Sequence, residues 1–197
     1  RHYCEEEVRL NRRLAANTYL DVVEVKRQGG RYRLGGAGRT AEVAVWMRRL
    51  PAERMLDRLV GDDALDLLPL LEDLGRVIAD FHRSAVRSRA IDRFGRPSVL
   101  AENWRENFAQ TRSFPDDVLD PSLRQQIKSH VEGFLRREKV QLDARVREGH
   151  IRDCHGDLQA QHVCCTDPIQ IFDCIEFNQR FRHVDTAAEI AFLTMDL

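Results

Sequence analysis

The sequence predicts an α+β fold in two lobes, and three observations carry that reading. Strand-like runs rich in β-branched and aromatic residues fall within the first 51 residues, apart from a short stretch at 163–173. Apolar residues spaced three or four apart dominate most of the remainder, the pattern of one-sided helices. Pro51 ends the early strands. A small lobe over 1–51 and a mainly helical lobe over 52–197 follow, with a cleft expected near that linker.

Taken in order, "RHYCEEEVRLNRRLAA" (1–16) places Cys4, Val8, Leu10 and Leu14 among charges, which predicts a helix with one apolar side. "TYLDVVEVKR" (18–27) predicts a strand, and "AEVAVWMRRLP" (41–51) alternates and predicts another. Between them "QGGRYRLGGAGRT" (28–40) is glycine-rich. It matches no phosphate-loop pattern and no helix follows it, so a plain hairpin connection is expected. Segment 64–85 predicts a helix with Leu67, Leu71, Leu74, Ile78 and Phe81 on one face. Residues 86–121, interrupted by Gly95, Pro97, Pro115 and Pro121, are expected to be irregular, with Trp104, Phe108 and Phe114 tucking back onto the core. Segment 121–149 predicts one or two helices with Leu123, Ile127, Val131 and Leu135 in register, and 184–197 a last helix capped by Asp185.

Composition narrows the function classes. The 197 residues can bury a core. Formal charge is −1, from 31 basic and 32 acidic residues, so no field draws the chain to nucleic acid or to a membrane surface. No apolar run approaches the roughly 18 residues of a membrane-crossing helix. The first ten residues are charged where a signal peptide would be apolar. Cys4, Cys154, Cys164, Cys165 and Cys174 are odd in number and show no disulfide framework, which points to reduced thiols in a cytoplasm. The chain opens on Arg1 in what looks like the middle of a helix, so it reads as a fragment or ordered core of something longer.

The chemistry-bearing stretches are "IRDCHGDLQAQHV" (151–163) and "IFDCIEFN" (171–178). Phosphoryl transfer asks for a carboxylate to take the proton of an attacking hydroxyl, for oxygen or nitrogen ligands to a bridging metal, and for a cation on the phosphates. Asp157, on a loop made flexible by Gly156, can be that carboxylate. His162 can point back from the far end of the loop, and Asp173 ends a second strand-like run. A hairpin over 163–173 would bring the three together.

These residues resemble a family. "HGDLQAQH" is similar to the HGDxxxxN loop of the aminoglycoside phosphotransferase and choline kinase branch of the protein-kinase-like fold, and "IFDCIEFN" to its metal-binding segment. "AVWMRRLP" resembles the inter-lobe hinge (Met47, Arg48, Arg49), and "LGRVIADFH" the first large-lobe helix. "CEEEVRLNRRLA" resembles the small-lobe helix whose Glu pairs with the phosphate-holding Lys. With "MRRLP" and "FDCIEFN", it looks most like bacterial proteins in which such a domain is fused to a P-loop ATP-binding domain. The resemblance implies a two-lobed kinase-like fold with a truncated small lobe. It also implies a small-molecule kinase using ATP with Mg or Mn, whose acceptor is an unidentified hydroxylated small molecule bound in a pocket shaped by 86–149. Asp157 would be the base, Asp173 and His162 the metal ligands, and Glu7 the Lys partner, with Glu5 and Glu6 as rivals. His155 and Asp185 would support the catalytic loop. His162 stands where the family has Asn. The glycine-rich loop and its Lys would precede residue 1, so the isolated chain is expected to be inactive.

Plainer readings stand beside these. Asp157 could be a turn residue, Asp173 a strand-end cap, Glu7 part of a solvated face, His82 a core or helix-end histidine, and Trp46 packing. A zinc site drawn from Cys154, His155, His162, Cys164 and Cys165 lacks paired-ligand spacing. A catalytically degenerate domain that only binds nucleotide or ligand is a third class.

Overall fold

The computed structural model describes residues 1–62 and 64–197. The chain forms two compact units. One comprises 1–85, 154–182 and 187–197, the other 86–153 and 183–186.

The first unit opens with α1 (His2–Asn11), followed by β1 (Tyr19–Gln28), β2 (Arg31–Leu34) and β3 (Arg39–Met47). β1 lies between β2 and β3 and is antiparallel to both. The glycine-rich connection is therefore not a plain one: it contains a strand of its own. Gly29 and Gly30 both take positive φ, 56° and 78°, which makes the tight reversal that lets Gln28 pair with Arg31. Val8, Ala15 and Tyr19 are buried together, with Val22, Val45 and Phe172 packed on them. Trp46, expected to pack, is 57% exposed.

After the short α2 (Leu56–Leu59) comes α3 (Leu68–Ser84). It starts four residues later than expected, with Leu67 as its N-cap and Pro69 in its first turn. A proline is tolerated there because the first-turn N–H groups have no intrahelical partner. Leu74, Ile78 and Phe81 are the buried residues of the expected face. Each such side chain contributes about 1.5–3 kcal/mol on burial. Leu74 and Ile78 join a core with Leu56, Leu158, Ala160, Val163, Cys165, Ile171 and Leu193. β5 (Val163–Cys164) and β6 (Gln170–Ile171) form the expected hairpin, pairing Val163 with Ile171. The unit closes with α8 (Gln179–Arg182) and with α9 (Thr186–Asp196), of which it holds residues 187 onward.

The second unit is mainly helical: α4 (Arg89–Asp92), α5 (Pro97–Gln110), α6 (Pro121–Arg137) and α7 (Lys139–Glu148). β4 (Ile151–Asp153) and β7 (His183–Asp185) pair within it. α5 corrects the expectation of irregular chain over 86–121. Pro97 does not break the chain's helix but sits at its start, where its fixed φ suits the first turn. Trp104 and Phe114 are 40% and 47% exposed, so they do not tuck inward. On α6 Val131 is buried, whereas Leu123 and Ile127 remain exposed despite their register.

Candidate active site

The loop over 154–162 is held from several sides. The Cys154 N–H donates to Arg182 O at 2.9 Å, and Arg13 donates to Cys154 O at 2.8 Å. The N–H groups of His155 and Gly156 both donate to Glu189 Oε1, at 2.7 and 2.8 Å. Gly156 has φ 89°, and a Cβ there would lie 2.7 Å from Phe181 O. Only glycine fits this close passage. His155 is buried. Its Nε2 donates to Phe172 O at 2.9 Å and its Nδ1 accepts from the Asp157 N–H at 3.3 Å. Burial pushes the imidazole down to about 4, so the ring is neutral near pH 7. Leu158 is buried beside it in the core. With 155 and 158 turned inward, Asp157 is left partly exposed, and Gln159 Nε2 donates to its Oδ1 at 2.7 Å.

The hairpin brings Asp173 to the same place. His162 Nδ1 lies 2.8 Å from Asp157 O and 3.5 Å from Asp157 Oδ2. Its Nε2 lies 3.2 Å from Asp173 Oδ2. The ring thus stands between the two aspartates. Asp173 has φ 66°, a left-handed conformation that Asp tolerates better than most side chains. Its N–H donates to the buried Tyr19 hydroxyl at 3.3 Å, and the next N–H, of Cys174, donates to Asn11 Oδ1 at 2.8 Å.

Among the three adjacent acids of α1, Glu5 pairs with Arg1 and Glu6 with Arg9. Glu7 has no such pairing among the described residues. Burial, and then the charges of Glu176 and Asp173, push its carboxyl up.

Other residues named from the sequence fall elsewhere. Met47 ends β3, the Arg48 N–H donates to Thr18 O at 2.8 Å, and Arg49 is exposed. Asp185 accepts two bonds from Arg145, each 2.6 Å. The carboxylate that receives the loop amides is Glu189, whose Oε2 also lies 2.6 Å from His82 Nε2. Burial pushes Glu189 up, but His82 and Gly156 outweigh it and hold its carboxyl below the usual range. Sequence reading missed Glu189, Tyr19 and Asn11. An acid inside the apolar run "AAEIAF" was the available signal for Glu189; the other two carried none. Cys154, Cys164, Cys165 and Cys174 are buried and none is in a disulfide. Among the described residues, His82, Cys154 and Glu189 form a three-donor group, to which the 154–165 stretch contributes Cys154 alone.

The family described as "phosphotransferase enzyme family" matches residues 2–195. The chain belongs to that family. Family members are phosphotransferases, generally using ATP with a divalent metal, and the family implies a kinase-like fold, with which this mixture of helix and sheet agrees. Uncharacterized proteins of Mycobacterium bovis (Mb2027c) and of Mycobacterium tuberculosis (MT2060 and Rv2004c) are each 33% identical over 195 residues. Those matches cover 98% of this chain and 37% of each relative, so the chain spans little more than a third of their length. No solved structure matches. Among the described residues no helix is long and apolar enough to cross a membrane.

For a phosphotransferase the donor set invites a test of metal fit. Bonded to a carbonyl oxygen, His162 Nδ1 must carry a proton, so in the neutral ring Nε2 bears the lone pair that faces Asp173. A proton on Nε2 or a metal ion between the two atoms would each satisfy that contact. Two ligands set at right angles around an ion at about 2.1 Å stand about 3 Å apart. The 3.2 Å separation of His162 Nε2 and Asp173 Oδ2 is compatible with both ligating one divalent metal.

Proposed function

We propose that the chain is the kinase-like domain of an ATP-dependent phosphotransferase that moves a γ-phosphate to a hydroxyl of a small molecule. The observation that carries the reading is the His162 ring set between Asp157 and Asp173 in a chain of this family. Asp157, partly exposed and oriented by Gln159, accepts the proton of the acceptor hydroxyl. Asp173 and His162 hold the metal, which when bound would neutralise charge on the phosphates. Glu189 and His155 keep the loop in place. Glu7 serves the lysine that grips the phosphates, as part of a two-lobed arrangement with its hinge at Met47, Arg48 and Arg49. The greater length of the relatives leaves room for a fused P-loop domain. Five cysteines outside any disulfide suit a reducing cytoplasm.

A screen of hydroxylated metabolites against the full-length protein, following ADP release, tests this. The expected result is release that depends on one acceptor class and on Mg²⁺ or Mn²⁺. Nucleotide binding with no acceptor-dependent release would contradict phosphotransfer and favour the degenerate, binding-only reading, to which His162 in place of Asn lends support.

A further inference from the structure

In the helical unit, α5 and α6 enclose a groove of about 370 Å³. Trp104 and Phe108 line it, their ring centroids 5.7 Å apart. Phe108, Arg112 and Lys128 also line an adjoining space of about 240 Å³, bounded by Pro121, Arg124 and Gln125 in the first turns of α6. An aromatic surface thus meets three cations beside the N-terminus of a 17-residue helix, an end already capped by the Asp120 carboxylate, which accepts from the Leu123 N–H at 2.8 Å. Glu132 and Arg105, the latter paired with Glu102, also line the groove, and Glu132 offsets part of that charge.

Among the described residues no ion pair includes Arg112, Arg124 or Lys128. Arg124 donates from Nη2 to Leu119 O at 3.2 Å, but its Nε is buried with no hydrogen-bond partner. A buried donor left unsatisfied is costly. Arg124 and Lys128 are four apart on one helix, where like charges repel. An anion among them relieves all three conditions, and the adjoining rings offer a face for a flat body.

We propose that this groove binds a small molecule with a planar apolar body and one anionic group, a carboxylate, sulfonate or phosphate. Glu7, Asp157, His162 and Asp173 all belong to the other unit, and the inference stands on the groove's own lining, whether or not this groove is the acceptor pocket expected from 86–149. Trp104 and Phe108 take the planar part, and Arg112, Arg124 and Lys128 take the anion.

Calorimetric titration of the full-length protein with naphthalene-1-sulfonate tests it, with sulfate and 1-naphthol as the two partial probes. The expected result is saturable one-to-one binding that weakens with added salt and is at least about tenfold tighter than either partial probe. Arg112→Gln and Lys128→Gln, both at exposed positions, should each weaken it by about tenfold, with thermal unfolding unchanged. Equal affinity for 1-naphthol, full affinity in the double variant, or no saturable binding would each overturn the proposal.

Discussion

His162 faces a carbonyl and a carboxylate of Asp157 on one side of its ring and the Asp173 carboxylate on the other. Imidazole is a softer ligand than the amide oxygen of the family's usual Asn, so it favours Mn²⁺ relative to Mg²⁺. His162→Asn should lower the Mn²⁺/Mg²⁺ rate ratio of the full-length protein; an unchanged ratio would show that this ring does not ligate. His155 supports a second prediction. Its folded value of about 4 lies below the usual 6.5. The folded state therefore refuses a proton that the unfolded chain accepts, and the resulting stability is present above about pH 6.5 and lost toward pH 4. At about 1.4 kcal/mol per pH unit, the loss approaches about 3 kcal/mol by pH 4. Glu189, also held low, adds loss in the same direction. Urea midpoints at pH 7 and 4.5 should fall less steeply in His155→Gln than in wild type; parallel slopes would remove His155 from the account. At this scale the sequence was legible where a residue acts through its neighbours in the chain, as in "HGD". It was opaque where the partner is remote: Tyr19 meets Asp173 across 154 residues.

At the scale of elements, the 154–162 loop depends on one glycine. Gly156→Ala forces a side chain into φ 89° and against Phe181 O. The expected cost is roughly 1–3 kcal/mol for the backbone conformation, with about 1–3 kcal/mol more for the crowded contact. Gly75→Ala makes the contrast, since Gly75 lies within α3 with open space around it. There alanine should stabilise by about 0.5–1 kcal/mol. Urea unfolding of both variants checks the pair, and a Gly156→Ala protein as stable as wild type would contradict the described loop. Elements with a strong period, α3 and the β5–β6 hairpin, were legible in the sequence. α5 was not, because Pro97 looks the same in sequence whether it ends a segment or starts a helix. β2 was hidden because it is only four residues long, is flanked by glycines and is exposed throughout, so its Tyr32–Leu34 alternation answers to no buried face.

At the scale of the whole chain, family membership rests on the match over residues 2–195, while the residue roles rest on geometry that lies within one compact unit. The acceptor was never legible: no motif in 86–149 encodes it, because a substrate is recognised by the shape and charge of a site rather than by the fold that carries it. The central claim is that Asp157 is the base of a phosphotransfer reaction. It is tested most directly by Asp157→Asn in the full-length protein, measuring ADP release on the acceptor returned by the metabolite screen, with ATP binding measured alongside. The account predicts a rate lower by about 10²–10⁴-fold, with ATP binding and thermal stability retained. Near wild-type release by Asp157→Asn would contradict it.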